Sequence, residues 1–378
     1  MTFRTRGYPP VWAPLRALTL SVAVAGCGHT DPFSSPPYGA DGPIDPTPPV
    51  HLTLSPRADR GSIWIPDESG ILYSTQTPGR ADNDVCLAVL PPAGGSQRAL
   101  ICDLEAGGAD STDATESPAA SADGRLAFVK AIGPIGTTSP LREGIAIAPG
   151  LDPRQASIVQ SLPYTIPGEP THSHAEALHW LGNGRLVFIG GTAGVQTRCF
   201  GCPTDTVVAN LKIVTLDAQG GADPSAVPGT ELASGVSPGS TEDEIYYTLA
   251  GDSRVFRRTL SSGDVTVAFD FGAAGVARDV QVIAGRMVVV VGGRVAMEIN
   301  PLLGPTQRDS GGVVHVVDLA SGADQPLDWP GFLFRRPALS PSGQRIVAEG
   351  HTLAIFNDGQ IADTTIHRDG DLYLLSAP

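Results

Sequence analysis

The sequence predicts an all-β fold, a six-bladed β-propeller, from three observations. A strand–turn–strand unit recurs along the chain, its copies are several strands apart, and the last copy is one strand short while an unassigned strand remains near the N-terminus. The unit is clearest at 336–348, where Ser340-Pro341-Ser342-Gly343 separates two short apolar runs. Pro341 pre-sets φ and Gly343 tolerates the positive φ of a tight turn, after which Ile346 and Val347 restart a β-branched run. Second and third copies lie at 119–129, around Gly124-Arg125, and at 178–189, around Gly184-Arg185. Fainter ones lie at 67–73, 280–290 and, with an insertion, 237–247. Gly70 to Gly124, Gly124 to Gly184 and Gly285 to Gly343 are steps of 54, 60 and 58 residues, and Asp243 fills the remaining slot. A repeat of this length holds one small sheet that cannot bury both faces alone, so the copies must stack in a ring.

In chain order, 1–26 reads as a leader. Arg4, Arg6 and Arg16 flank the apolar run 17–26, which is too short to span a bilayer and fits the core of a signal peptide. It ends Val24-Ala25-Gly26-Cys27, which resembles the lipobox of bacterial lipoproteins; that resemblance implies cleavage before Cys27 and a lipid anchor on it. An ordinary secretory signal followed by an unrelated cysteine is the other reading. Gly28 stands where an inner-membrane retention aspartate would sit, which favours the outer membrane. Residues 27–50 are rich in Pro, Gly and Asp and form the expected tether, leaving 51–378 as the propeller.

The formal charge is −14, and removal of a leader with three arginines and no acids leaves −17. No concentrated basic run exists, so nucleic-acid binding is excluded as an expectation. The 45 glycines and 34 prolines suit a turn-rich β protein, and no long stretch has helical periodicity.

Blade one is expected at 71–75, 85–90 and 99–104. Cys86 and Cys102 are equidistant from Gly94, the centre of the connection 91–95, so a hairpin there sets them opposite each other for a disulfide; two buried free thiols are the alternative. Blade two takes 126–130, 144–148 and 156–160, after a polar stretch, 106–121, read as a solvated loop without the register of an EF-hand.

Blade three carries His172, His174 and Glu176, which alternation along a strand puts on one face, with His179 on the other. Such a set suits a divalent metal; the alternative is a polar channel mouth with hydrogen-bonded histidines. Cys199-Phe200-Gly201-Cys202 is a CxxC without a second CxxC or a redox fold around it, and a disulfide closing that loop is the preferred reading.

Blade four is expected at 244–249, 254–260 and 265–269. Its Gly235-Val236-Ser237-Pro238-Gly239 matches a nucleophile elbow in spelling, but Pro238 lacks the N–H that such an elbow donates, so Ser237 is not a nucleophile. Blade five takes 287–291, 294–299 and 313–319. Blade six takes 345–349, 352–356 and 372–375, and the strand at 51–54 completes it, closing the ring without a free edge.

The segments 340–346, 121–126 and Asp369-Gly370-Asp371-Leu372-Tyr373 resemble the WD40-like repeats of TolB-type propellers, in which Ser-Pro-Asp-Gly opens a strand and Asp-Leu-Tyr forms the next. The resemblance covers most of 51–378 and is strong in about half the repeats; the separate N-terminal domain of TolB has no counterpart here. It implies a propeller and leaves the activity open, because propellers host many functions. The expected function is a lipid-anchored, non-catalytic propeller that binds envelope proteins, held at the membrane through its anchor and facing the periplasm or cell surface. The alternative is a small-ligand or metal-binding channel, an enzyme included, near His172, His174 and Glu176. No cofactor is expected, apart from the divalent metal of that alternative.

Overall fold

A computed structural model of the chain describes residues 46–53, 59–76, 85–94, 98–101, 111–134, 141–182, 184–197, 204–219, 223–292, 295–300, 304–309, 311–352 and 371–378. The chain folds as a six-bladed β-propeller. β1 (Val50–His51) precedes blade one, which holds β2 (Asp59–Trp64), β3 (Ile71–Gln76), β4 (Val85–Leu90) and β5 (Arg98–Ile101). Blade two holds β6 (Ser111–Ala120), β7 (Leu126–Pro134), β8 (Leu141–Ala148) and β9 (Ser157–Ser161). Blade three holds β10 (His174–Leu181), β11 (Arg185–Thr197), β12 (Thr204–Asp217) and β13 (Ser225–Ala226), and blade four β14 (Ala233–Pro238), β15 (Glu244–Leu249), β16 (Arg254–Thr259) and β17 (Val265–Asp270). Blade five is β18 (Ala277–Ile283) and β19 (Arg286–Val291), then β22 (Val313–Asp318) and β23 (Asp324–Leu327), interrupted by a separate hairpin of β20 (Val295–Asn300) and β21 (Gly304–Asp309). Blade six has β24 (Phe332–Leu339), β25 (Arg345–Thr352) and β26 (Asp371–Ser376). All sheet pairing within the blades is antiparallel, and β1 pairs with β26 through Val50–Leu374 and His51–Tyr373. The ring is therefore closed by its two chain ends, with Val50–His51 doing what 51–54 was expected to do.

Three expectations about individual segments are corrected. Of the run 294–299, the described residues 295–299 lie in the hairpin that leaves blade five, and β19 pairs directly with β22. In blade six β25 pairs directly with β26, and 353–356 lies outside the described residues. Residues 111–120, read as loop because they are polar, form the first strand of blade two. The first strands contact one another in sequence around the ring, β2 to β6, β10, β14, β18, β24 and back to β2, and so line its centre. A strand facing a central channel need not be apolar, which is why a hydrophobicity pattern misses it.

The apolar core is divided into six clusters, each between neighbouring blades. Polar bonds add a second tie at the joints. Trp64 and Trp180 occupy equivalent positions: each donates its indole N–H to a carbonyl of the preceding blade, to Ala338 at 2.9 Å and Ala119 at 3.0 Å. An arginine of that preceding blade lies over each ring, Arg345 at 4.5 Å and Arg125 at 4.4 Å. At two further joints the same repeat position bonds to the next turn, Arg185 to Glu242 O and Arg286 to Gly343 O, both at 2.9 Å. The arginine that follows the turn glycine is thus a tie between blades. The turn serine is local support, since Ser121 and Ser340 Oγ accept the amides of Arg125 and Arg345. Blade four ties to blade five through Ser237, whose Oγ accepts Val282 N at 2.9 Å and which is fully buried, a structural serine. Cys86 is buried and disulfide-bonded; Cys102, Cys199, Cys202 and Cys27 lie outside the described residues.

Trp64→Phe and Trp180→Phe each leave a buried carbonyl without its donor and should each cost about 1–2 kcal/mol in chemical denaturation. The two tryptophans sit at different joints, so the double variant should lose the sum to within about 0.5 kcal/mol.

Candidate functional site

The first strands share a second feature at the channel. Each breaks register with its neighbour near the middle, between Arg60 and Ile63, Glu116 and Ala119, Glu176 and His179, Ala233 and Gly235, Arg278 and Gln281, and Arg335 and Ala338. Each break is a β-bulge that re-aims the side chains beside it. At five of them a residue takes positive φ: Gly61 at 60°, Ser117 at 50°, Ala177 at 51°, Asp279 at 50° and Arg336 at 43°. Four of the five are not glycine, and such backbone costs on the order of 1 kcal/mol per residue, held only where the surroundings over-determine it. Blade four has Gly235 at its bulge, where a Cβ would sit 2.7 Å from Asp279 N; the glycine lets blades four and five approach.

The residue that opens the bulge is charged in five of the six blades: Arg60, Glu116, Glu176, Arg278 and Arg335. Arg336 is the hub of the resulting network. Its Nη1 lies 3.2 and 3.4 Å from the two oxygens of Glu349, which is 2% exposed, and its backbone N–H bonds Asp279 Oδ2 at 3.1 Å. Glu349, then Glu176 and Asp279 beside it, raise the Arg336 guanidinium further above its usual range, against the effect of burial. Glu349 also accepts Gly61 N–H at 2.8 Å, joining blade six to blade one. Burial pushes its carboxyl up, but Arg336, Arg335, Gly61 N–H and Arg60 outweigh it and bring it down to about 2. Desolvation, and next the like charge of Arg336, lower Arg60, which also feels Glu349, Arg335 and Glu116. Arg278 is spent on structure, bonding Gly292 O at 2.5 Å and Gly311 O. Five blades thus place opposite charges around one centre, with Arg60, Arg336 and Glu176 open to solvent to differing degrees.

The expected metal set is only partly assembled. His174 Nε2 lies 3.4 Å from Glu176 Oε2 without forming a hydrogen bond. His172 is 1% exposed; its ring stacks on Tyr164 at 5.2 Å, with Nδ1 beside Gly190, and desolvation lowers its pKa. Among the described residues no group of three or more His, Cys, Asp and Glu side chains is arranged to hold a metal ion. The bulge resets the strand alternation: Leu178 and Trp180 pack in the same cluster as Ala175, so parity no longer sets His179 opposite Glu176. Burial holds His179 down to about 4. Glu176 is the one member of the set that reaches the central network. The residues that dominate the network, Arg60, Glu116, Asp279, Arg335, Arg336 and Glu349, are not among the site residues expected from the sequence. A signal for two of them existed: a charged residue stands five positions before the turn serine, as Arg335 does before Ser340 and Glu116 before Ser121.

Glu349→Gln keeps an acceptor for Gly61 N–H but removes the charge facing Arg336, and should cost about 2 kcal/mol in denaturant titration, since Arg336 is itself part-exposed. Because the folded pKa is depressed, the parent's stabilisation from this group is complete above about pH 4.5 and fades as pH falls through about 2; the variant should lack that acid-dependent component.

No protein-family model matches the sequence, and no curated protein matches it. Solved structures do. A gluconolactonase from Xanthomonas campestris is 17% identical, covering 87% of this chain and 89% of its own at a TM-score of 0.53. Regucalcin from Agrobacterium tumefaciens, described as a calcium-binding protein, is 13% identical over 89% of this chain and 95% of its own, with a TM-score of 0.51. TolB from Acinetobacter baumannii is 15% identical over 82% of this chain and 67% of its own, with a TM-score of 0.46. At these identities the first two likenesses establish the propeller fold and nothing narrower.

Proposed function

We propose that the protein is a ligand-binding propeller that takes a small, polar, anion-bearing molecule at the bulge level of its channel. The observation that carries this reading is the convergence of charged side chains from five blades beside strained backbone, Arg60, Glu116, Glu176 and Arg335 at one repeat position and Asp279 next to it in blade five. Strain of this kind gathers where a structure holds groups for recognition. Arg60 and Arg335 suit a carboxylate or phosphate, which guanidinium groups bind in paired hydrogen bonds, while Glu116 and Glu176 suit hydroxyl or ammonium donors of the same ligand. The similar structures described as a gluconolactonase and a calcium-binding protein are compatible with a small ligand and lend only their fold. On this reading the propeller is held at the envelope by a lipidated Cys27 after loss of 1–26.

The test is a thermal-shift and calorimetric screen of small hydroxy acids, sugar acids, amino acids and phosphate esters. A hit on the parent should weaken by about tenfold or more in Arg60→Ala and in Glu116→Gln, in line with one lost charged hydrogen bond each. No binding by any of these classes, or equal binding by both variants, would remove the channel from consideration.

A second reading, a scaffold for an envelope protein, rests on the outer edge of blade four. β17 is its outermost strand and exposes Val265 and Val267 at 44% and 50%. An exposed edge of β-branched residues is a template for an added strand. Crosslinking in cells should capture one recurrent partner with the parent and lose it with Val267→Asp; Cys27→Ala separates the anchor's contribution. Capture unaffected by Val267→Asp would rule out this surface.

A further inference from the structure

Blade one buries a carboxylate that the channel network does not use. Asp59 opens β2 and is 0% exposed; the hydroxyls of Thr53 and Thr75 lie close enough to oppose the rise of its pKa, but among the described residues neither of its oxygens has a well-formed hydrogen bond. Its cross-strand partner is Thr75, and Tyr73 lies two residues along on the same face of β3. Thr75 Oγ1 and Tyr73 Oη are equally buried, Thr75 Oγ1 faces the carboxylate, and Asp59 acts electrostatically on Tyr73. Thr53, also fully buried, flanks the carboxylate from the N-terminal segment, and its Oγ1 accepts Leu372 N–H at 2.9 Å. One lone pair of that hydroxyl is therefore taken and one is left.

The charges that act most on Asp59 are Asp371 and Glu349, both negative and each already paired, with His51 at 2.9 Å and with Arg336. Among the described residues no cation pairs with Asp59, and a buried carboxylate in that state takes up either a proton or a cation. The side chains placed around it among the described residues, Thr53, Thr75 and Tyr73, offer oxygen, which is the ligand preference of hard cations. Four side chains with unspent oxygen lone pairs, buried together, make a built site rather than a surface cluster of acids.

We propose that Asp59, Thr75, Tyr73 and Thr53 hold a small hard metal cation beneath the closure of the ring, coupling its occupancy to the pairing of the two chain ends. The coupling runs through Thr53, which would ligate the ion and accept the amide of β26 together. Burial, then the nearby Asp371 and Glu349, push the empty carboxyl up to about 7, with the two threonine hydroxyls opposing them. Cation and proton therefore compete for the same oxygens. Because the folded pKa is raised, the stability that the protonated group contributes is complete below about pH 4 and is lost as pH rises through about 7, where the cation replaces it.

The experiment is thermal unfolding of chelator-treated full-length protein with calcium chloride or sodium chloride, against choline chloride at matched ionic strength, at pH 8 and pH 5. At saturation either cation should raise the parent's Tm by about 5 °C at pH 8 and by less than half of that at pH 5. Asp59→Asn should show no specific rise at either pH. Thr75→Val, which keeps the carboxylate, should raise the cation concentration at half-effect by about tenfold. No rise at pH 8, or a full rise retained in Asp59→Asn, would overturn the proposal. A parent that answers to pH alone, losing stability between about pH 4 and 7 with no cation response, would assign the pocket to a proton and overturn it equally.

Discussion

A ring of small sheets is only as stable as its joints, and the joint is the constraint that the rest of this molecule answers to. Among the described residues every apolar cluster is shared between two neighbouring blades, so each blade is half of two interfaces. Apolar burial between wedges is non-directional and does not fix how far one blade rotates against the next. The directional part comes from the repeated arginine, which leaves its own turn and lands on the next blade's tryptophan ring or turn carbonyl. Where the repeat lacks that arginine, other devices stand in: a parallel bridge of Val85 and Ala114 between blades one and two, and Ser237 between blades four and five.

The same joints explain the composition of the innermost strands. At the centre of a ring there is too little room for six apolar strands to bury their inward faces, and water reaches them. Bulges turn charged residues into that space, and the charges tie blades that are not only neighbours: Arg336 of blade six feels Glu176 of blade three, across the ring, as well as Asp279 of the adjacent blade five. Glu349 illustrates the energetic balance. Its burial would be costly alone, and it is stable as a carboxylate because guanidinium groups and a backbone amide surround it. Asp59, a few residues from the closure, has no such cationic company among the described residues, and the contrast between the two acids is what singles it out.

Much of the architecture was legible because it lives in short-range chemistry that repeats. Turn residues at Ser340-Pro341-Ser342-Gly343 and Ser121-Ala122-Asp123-Gly124 mark hairpins wherever they occur, and their spacing counts blades. Closure by the chain ends followed from counting strands. The inner strands were less legible, since 111–120 is polar and carries Pro118, and only its place beside the channel makes it a strand. Strict alternation also failed at Glu176–His179, because one bulge shifts every side chain after it to the other face.

By itself the sequence determined the fold class, the number of blades, the turns and the way the ring closes, because these follow from local backbone preferences repeated at a regular interval. The tertiary structure alone decided which charges meet. Arg60 and Glu349 are 289 positions apart, and Glu176 and Arg336 are 160; no local preference relates such pairs. Only the curvature of the closed ring brings them to one centre, and only burial turns Asp59 from one acid among many into a carboxyl whose pKa is pushed up to about 7.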